Sequence, residues 1–98
     1  MKLYVLVRDD LKTPGYKAVQ AGHAVAEFLL EYGKTPGWDN GTLVFLVVKS
    51  EDELEYYQDL FAYREKLYSS FYEPDIGNQL TAVAVLGADT LVKDLPLL

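Results

Sequence analysis

The sequence predicts an α/β domain: a four-stranded mixed sheet with packed helices, its elements in the order β-α-β-α-β-β. Three observations carry this expectation. Short, β-branched apolar runs alternate along the chain with two stretches of helical period. Each helical stretch opens on a start signal, Thr13-Pro14-Gly15 in one case and Ser50-x-x-Glu53 in the other. Half of the 98 residues are hydrophobic, enough for one core and too few residues for two, so residues 1–98 read as a single domain.

The elements follow in order. Residues 2–7 alternate and are β-branched, which predicts the first strand. Arg8-Asp9-Asp10-Leu11 leaves that strand. A helix is expected over about 16–32, stopped by Gly33 at a position where glycine readily ends a helix. Residues 34–41, with Pro36, Gly37 and an Asn40-Gly41 turn signal, read as a loop. The nearly unbroken apolar run 42–48 predicts a strand buried on both faces. The capping box at Ser50 opens a second, acidic helix over about 51–66. A third strand is expected at 67–72, a loop at 73–78, and a fourth strand from 79 or 80 to 86. Asp89 is placed to cap one short helical turn before Pro96. In such a sheet the site is expected beyond the strand ends, at 8–15 and 73–78.

Composition removes several function classes. Without cysteine there are no disulfides, thiol nucleophiles or cysteine-based zinc sites, and a single histidine makes a catalytic zinc site a poor fit. No apolar run approaches the roughly 20 residues that span a bilayer, and the strand-like start carries no signal peptide, so a cytoplasmic protein without membrane contact is expected. The net charge of −6 is uneven: residues 1–49 carry six bases and five acids, residues 50–98 three bases and ten acids. Extended RNA binding is disfavoured by that acidic half, while contact with a phosphate or an RNA end remains open to the other.

The first helix holds the one histidine. On a wheel of about 100° per residue, Gln20, Glu27 and Glu31 form a strip about 40° wide, with His23 on its margin. The rest of the circumference is apolar, which predicts a helix buried on most sides. A histidine on such a margin suits proton transfer; it equally suits a core-edge role, bonded to a carbonyl. Asp75 lies in a Gly- and Pro-containing loop, where a carboxylate can orient water or simply cap a turn. Glu73 reads as a site carboxylate or as a loop partner of Arg8 or Lys17. Asn78, Gln79 and Thr81 are candidate ligand contacts where the fourth strand begins. The aromatics Tyr57, Tyr63, Tyr68, Phe71 and Tyr72 are too many for so small an interior and predict a symmetric homodimer.

Taken together, the order of motifs resembles the type II peptidyl-tRNA hydrolases. An opening strand is followed by Arg8-Asp9-Asp10-Leu11, then Pro14-Gly15, then a helix carrying Gln20-x-x-His23-Ala24. Ser50-Glu51-Asp52-Glu53-Leu54 follows the second strand, and Asp75-x-Gly77 leads through Gln79 into a last strand ending Val85-Leu86-Gly87. The resemblance covers about residues 1–87. It implies metal-free cleavage, with no cofactor, of the ester between a peptide and tRNA or of a related nucleotide conjugate. His23 and Asp75 would be catalytic, and Lys17, Gln20, Glu73, Asn78, Gln79 and Thr81 would hold substrate. Two departures imply weak or lost activity. Tyr16 stands where the family has its lysine, with Lys17 displaced by one residue, and the threonine and Pro-Gly expected after Asp-x-Gly are missing. The alternative is a binding module of the same fold, holding a nucleotide-like or other small ligand without turnover. A protein-interaction domain using the tyrosine-rich half is the third reading.

Overall fold

The computed structural model describes residues 1–34 and 37–98. Its four strands are β1 (Leu3–Arg8), β2 (Leu43–Val48), β3 (Tyr68–Glu73) and β4 (Gln79–Leu86). Three helices accompany them: α1 (Pro14–Tyr32), α2 (Glu51–Tyr63) and α3 (Asp89–Val92). The element order departs from the one expected because a 3-10 turn (Pro74–Ile76) separates β3 from β4; α3 is the short turn expected near Asp89, but Ala88 is its N-cap, so Asp89 opens the turn without capping it. Proline starts the 3-10 turn, and the left-handed Gly77 and Asn78 (φ 73° and 59°) end it. The fold class is as expected: a four-stranded mixed sheet, order β2-β1-β4-β3, with helices packed on it.

β1 runs parallel to β2 and antiparallel to β4, and β4 runs antiparallel to β3. All six residues of β1 are buried because both faces of the sheet are covered. Leu3, Val5 and Val7 pack with Ala21, Ala24 and Phe28 of α1. Tyr4 and Leu6 turn the other way, towards Leu54 and Phe61 of α2 and Val92 of α3. Phe28 and Phe61 anchor the two layers, each burial contributing about 1.5–3 kcal/mol.

The helix ends follow their capping chemistry. The Thr13 hydroxyl accepts from the Tyr16 N–H at 3.1 Å, so α1 starts at Pro14, two residues earlier than expected. Gly33, at φ 62°, ends it as expected. At α2 the Ser50 hydroxyl accepts from the Glu53 N–H, while the Glu53 carboxylate turns back to the Lys49 N–H. α2 ends at Tyr63, short of residue 66, where Glu65 adopts a left-handed φ of 57°.

Two burial expectations fail for one reason, the position of each element in the sheet. β2 is an edge strand, and only Leu46, Val47 and Val48 are buried; Leu43 is exposed. α1 covers one face of the sheet and buries a single stripe, Gln20, Ala21, Ala24 and Phe28. Its outer side, with Val19, Leu29 and Leu30, faces solvent, so the helix is not buried on most sides. Pro36, part of the loop expected at 34–41, lies outside the described residues. None of the described helices is long and apolar enough to cross a membrane.

Candidate functional site

The C-terminal ends of β1 and β3 and the start of β4 meet at one edge of the domain, beside the first turns of α1. Sheet topology makes this junction, since β4 returns antiparallel between β1 and β3. Arg8, the last residue of β1, ties it together. Its guanidinium holds Asp10 through two 3.0 Å bonds and reaches the Gln79 side-chain oxygen at 2.8 Å and the Leu80 carbonyl at 3.1 Å. The pairing pulls the Asp10 carboxyl below the usual carboxylate range, the bond from Arg8 being the main cause.

Behind this edge lies a buried polar network. The Gln20 amide donates to one Glu73 carboxylate oxygen at 2.8 Å, and the Thr81 hydroxyl donates to the Gln20 carbonyl at 2.6 Å. All three residues are buried, Gln20 and Thr81 completely. A bulge positions Thr81. Phe71 pairs with Ala82 while Tyr72 pairs with Leu80, so Thr81 is the extra residue and its hydroxyl turns towards α1. The second Glu73 oxygen accepts from the Asp75 N–H at 3.2 Å, which anchors the 3-10 turn.

These contacts set the state of Glu73. The bond from Gln20 is the main cause that holds its carboxyl below the usual glutamate value, followed by the Asp75 N–H. Because the folded value is the lower one, ionised Glu73 stabilises the fold above its unfolded pKa. That stabilisation is lost as pH falls through the folded value. Glu73→Gln should therefore flatten the stability profile between about pH 5 and pH 2, read as the urea midpoint at each pH by circular dichroism. A profile as steep as that of the unaltered protein would show that other carboxyls dominate acid unfolding.

In front of the network is a cleft of about 400 Å³ lined by Arg8, Asp10, Leu11, Lys12, Tyr16, Asp75, Ile76 and Gln79. The Tyr16 hydroxyl is buried at its wall with no hydrogen-bond partner among the described residues. Desolvation, then the charges of Glu73 and Asp75, push its pKa up, so it stays protonated.

The expected site residues thus fall into separate groups. Asp75 and Gln79 line the cleft. Gln20, Glu73 and Thr81 form the network behind it; of the two readings of Glu73, the pairing with Arg8 or Lys17 is not formed, and Glu73 bonds to Gln20 instead. Lys17 pairs with Asp9 at 2.7 Å. His23 lies on the exposed flank of α1, stacked on Phe71 with ring centroids 4.3 Å apart and planes 10° from parallel. Asn78 is exposed and left-handed, and its N–H closes the turn onto the Glu73 carbonyl. Arg8, Asp10 and Lys12 lie in the stretch 8–15 where the sequence places the site, but it singles out none of them as a candidate residue. The Arg-x-Asp spacing was visible, but the bond from Arg8 to Gln79 spans 71 positions.

Among the described residues no group of three or more acidic or histidine side chains could hold a metal ion. A larger cavity, about 790 Å³, lies at the other end of α1 between Val25, Leu29, Trp38 and Leu43. It holds none of the expected site residues. A scan against protein-family models finds no match to this chain, and a search of curated proteins finds none either.

Proposed function

We propose that this chain is a cytoplasmic protein like the type II peptidyl-tRNA hydrolases, cleaving an ester at the end of a tRNA or of a related nucleotide conjugate with weak turnover. The observation that carries this reading is the junction of α1 with the β3–β4 turn. There a buried Gln20–Glu73–Thr81 network fixes the backbone of Asp75, whose side chain lines the cleft. Such a network holds a carboxylate rigidly at the mouth of a site. In the proposed reaction water attacks the ester carbonyl, with Asp75 taking its proton. The carbon–oxygen bond to the ribose breaks, and the proton taken by Asp75 is relayed through His23 to the leaving oxygen, so that both side chains end as they began. Gln79 and Lys12 at the rim contact the substrate.

Lys17 argues for weakness. Its ammonium is already paired with Asp9 and is not free to face a developing oxyanion. That same pair favours the second reading, a binding module in which the cleft takes a nucleotide-like ligand without turnover. Release of labelled peptide from a peptidyl-tRNA distinguishes the two. Slow release, abolished by Asp75→Asn and by His23→Ala, is expected. Turnover that survives both changes would overturn the assignment of these residues. No release, together with a raised melting temperature in saturating nucleotide, would favour the binding module.

A further inference from the structure

The two edges of the sheet differ in what covers them. Along β2 the C-terminal segment lies on the edge: the Val47 N–H donates to the Pro96 carbonyl and the Leu98 N–H to the Phe45 carbonyl. β3, at the other edge, meets no strand on its outer side among the described residues.

The hydrogen bonds of β4 show which groups of β3 are open. Leu86 donates to the Leu67 carbonyl, so in the antiparallel alternation Ser69 and Phe71 also face β4, while Tyr68 and Ser70 face outward. Beyond the bulge Tyr72 pairs with Leu80. Both backbone groups of Leu80 are used on the side away from β3, its N–H on the Glu51 carboxylate at 2.7 Å and its carbonyl on the Arg8 guanidinium at 3.1 Å, so Tyr72 also turns outward. The Tyr68 carbonyl is taken by the Tyr32 hydroxyl at 2.9 Å. The Tyr68 N–H and both backbone groups of Ser70 and Tyr72 are left facing a groove of about 360 Å³, between Glu31 of α1 and Gln58 of α2.

Charge identifies the occupant. On α1, Glu27 lies one turn before Glu31, and Glu31 accepts from the Ser69 hydroxyl at 2.7 Å, which sets this acidic row beside β3. On α2, Gln58 accepts from the Ser70 hydroxyl, while Leu54 and Phe61 are buried. A wheel of about 100° per residue sets Glu55 and Asp59 about 60° and 100° round from Gln58, on the side away from Leu54 and Phe61. Glu27, Glu31, Glu55 and Asp59 have no ion-pair partner among the described residues. The nearby bases do not offset these rows. Lys34 and Arg64 lie at the C-terminal ends of the two helices, and Lys66, beside Glu65, donates to the Gly87 carbonyl. Glu73 is buried on Gln20 and takes no part.

We infer that β3 takes an extended, lysine- or arginine-rich segment of another protein as a fifth strand. The backbone of that segment completes the bonds of Ser70 and Tyr72. Because side chains alternate along a strand, its basic residues meet Glu27 and Glu31 on one side and Glu55 and Asp59 on the other. The run Tyr68-Ser69-Ser70-Phe71-Tyr72 carries neither the lysine nor the proline that ordinarily blunts an open edge. A second copy of this chain is the wrong occupant, since pairing β3 with itself brings the like-charged rows together. The inference is independent of the hydrolase reading, whose cleft lies past the strand ends.

The probe is the peptide Lys-Lys-Val-Val-Lys-Lys-Val-Val, which carries lysine on both faces of a strand, with Glu-Glu-Val-Val-Glu-Glu-Val-Val as its control. Titration calorimetry should show binding of the lysine peptide alone, weakened about tenfold or more as salt rises from about 0.05 M to about 0.5 M. In saturating lysine peptide the Ser70 and Tyr72 amides should exchange hydrogen about tenfold or more slowly than in the free chain. Combining Glu31→Gln, Glu55→Gln and Asp59→Asn, all at the surface, should weaken binding roughly tenfold with an unchanged circular dichroism spectrum. If that variant does not fold, exchange in the unaltered chain decides alone. Failure of the lysine peptide to bind, equal binding of the glutamate peptide, or binding that leaves the two amides exchanging freely overturns the inference. So does a folded triple variant that binds as tightly as the unaltered chain. Protection of the two amides without peptide, rising with protein concentration, would give the edge to a second copy and overturn it as well.

Discussion

Gln20→Leu should lower the melting temperature by roughly 10 °C while leaving the fold class unchanged. The substitution keeps the volume of the side chain and removes both of its polar atoms. The Thr81 hydroxyl then loses its 2.6 Å acceptor and keeps only the Phe71 carbonyl at 3.4 Å, and the Glu73 carboxylate loses its 2.8 Å donor and keeps only the Asp75 N–H at 3.2 Å. Leaving a buried partner unsatisfied costs about 1–3 kcal/mol, and a domain of this size loses about 4–8 °C per kcal/mol. Thr81→Val deletes one bond from the same network and should cost less. The double variant should cost less than the sum of the two, because each single change already breaks the network. Thermal unfolding followed at 222 nm reads all three. An unchanged melting temperature for Gln20→Leu would show that the network orders the site without stabilising the fold. The same variant should also raise the pH of acid unfolding, since the bond from Gln20 is the main cause holding Glu73 low.

The network shows where sequence reading reaches and where it stops. Local periodicity and capping fix α1 and α2 to within a few residues, because Thr13, Gly33 and Ser50 act through bonds spanning three or four positions. The mixed sheet follows from the order of elements. Burial did not follow, because it depends on which strands become edges. Apolar runs such as 42–48 and 18–30 look alike whether they are covered on one side or two. The candidate residues lie in several separate surroundings. Gln20 and His23 sit one turn apart on α1, yet one is wholly buried and the other exposed against Phe71. The bulge at Thr81 and the long-range bonds of Arg8 carry no local signal. Both arise only when β4 returns between β1 and β3.

Tyr16→Lys should raise peptidyl-tRNA hydrolysis by about 100-fold or more, the amount that one well-placed donor to an oxyanion typically contributes. The argument starts from the surroundings of Tyr16. Its hydroxyl is buried without a partner among the described residues, and that burial first, then the charges of Glu73 and Asp75, push its pKa up. Desolvation disfavours an ammonium as it does a phenolate, whereas the charges of Glu73 and Asp75 favour an ammonium at the same place. The lysine stem can follow the path of the ring along Leu11 and Ile76, and replacing the tyrosine removes the unsatisfied hydroxyl. Lys17 cannot supply this charge, being about 100° further round the helix and paired with Asp9. Single-turnover release from peptidyl-tRNA measures the gain, with Tyr16→Met as the control that fills the space without charge. The gain should vanish when Asp75→Asn is added, because the cation assists an attack that still needs Asp75 to take the proton from water. An increase with methionine equal to that with lysine would trace the effect to a wider cleft. No increase with a folded lysine variant would show that the weakness lies elsewhere, in capture of tRNA by a chain of net charge −6, and added salt, which screens that repulsion, would then speed the reaction.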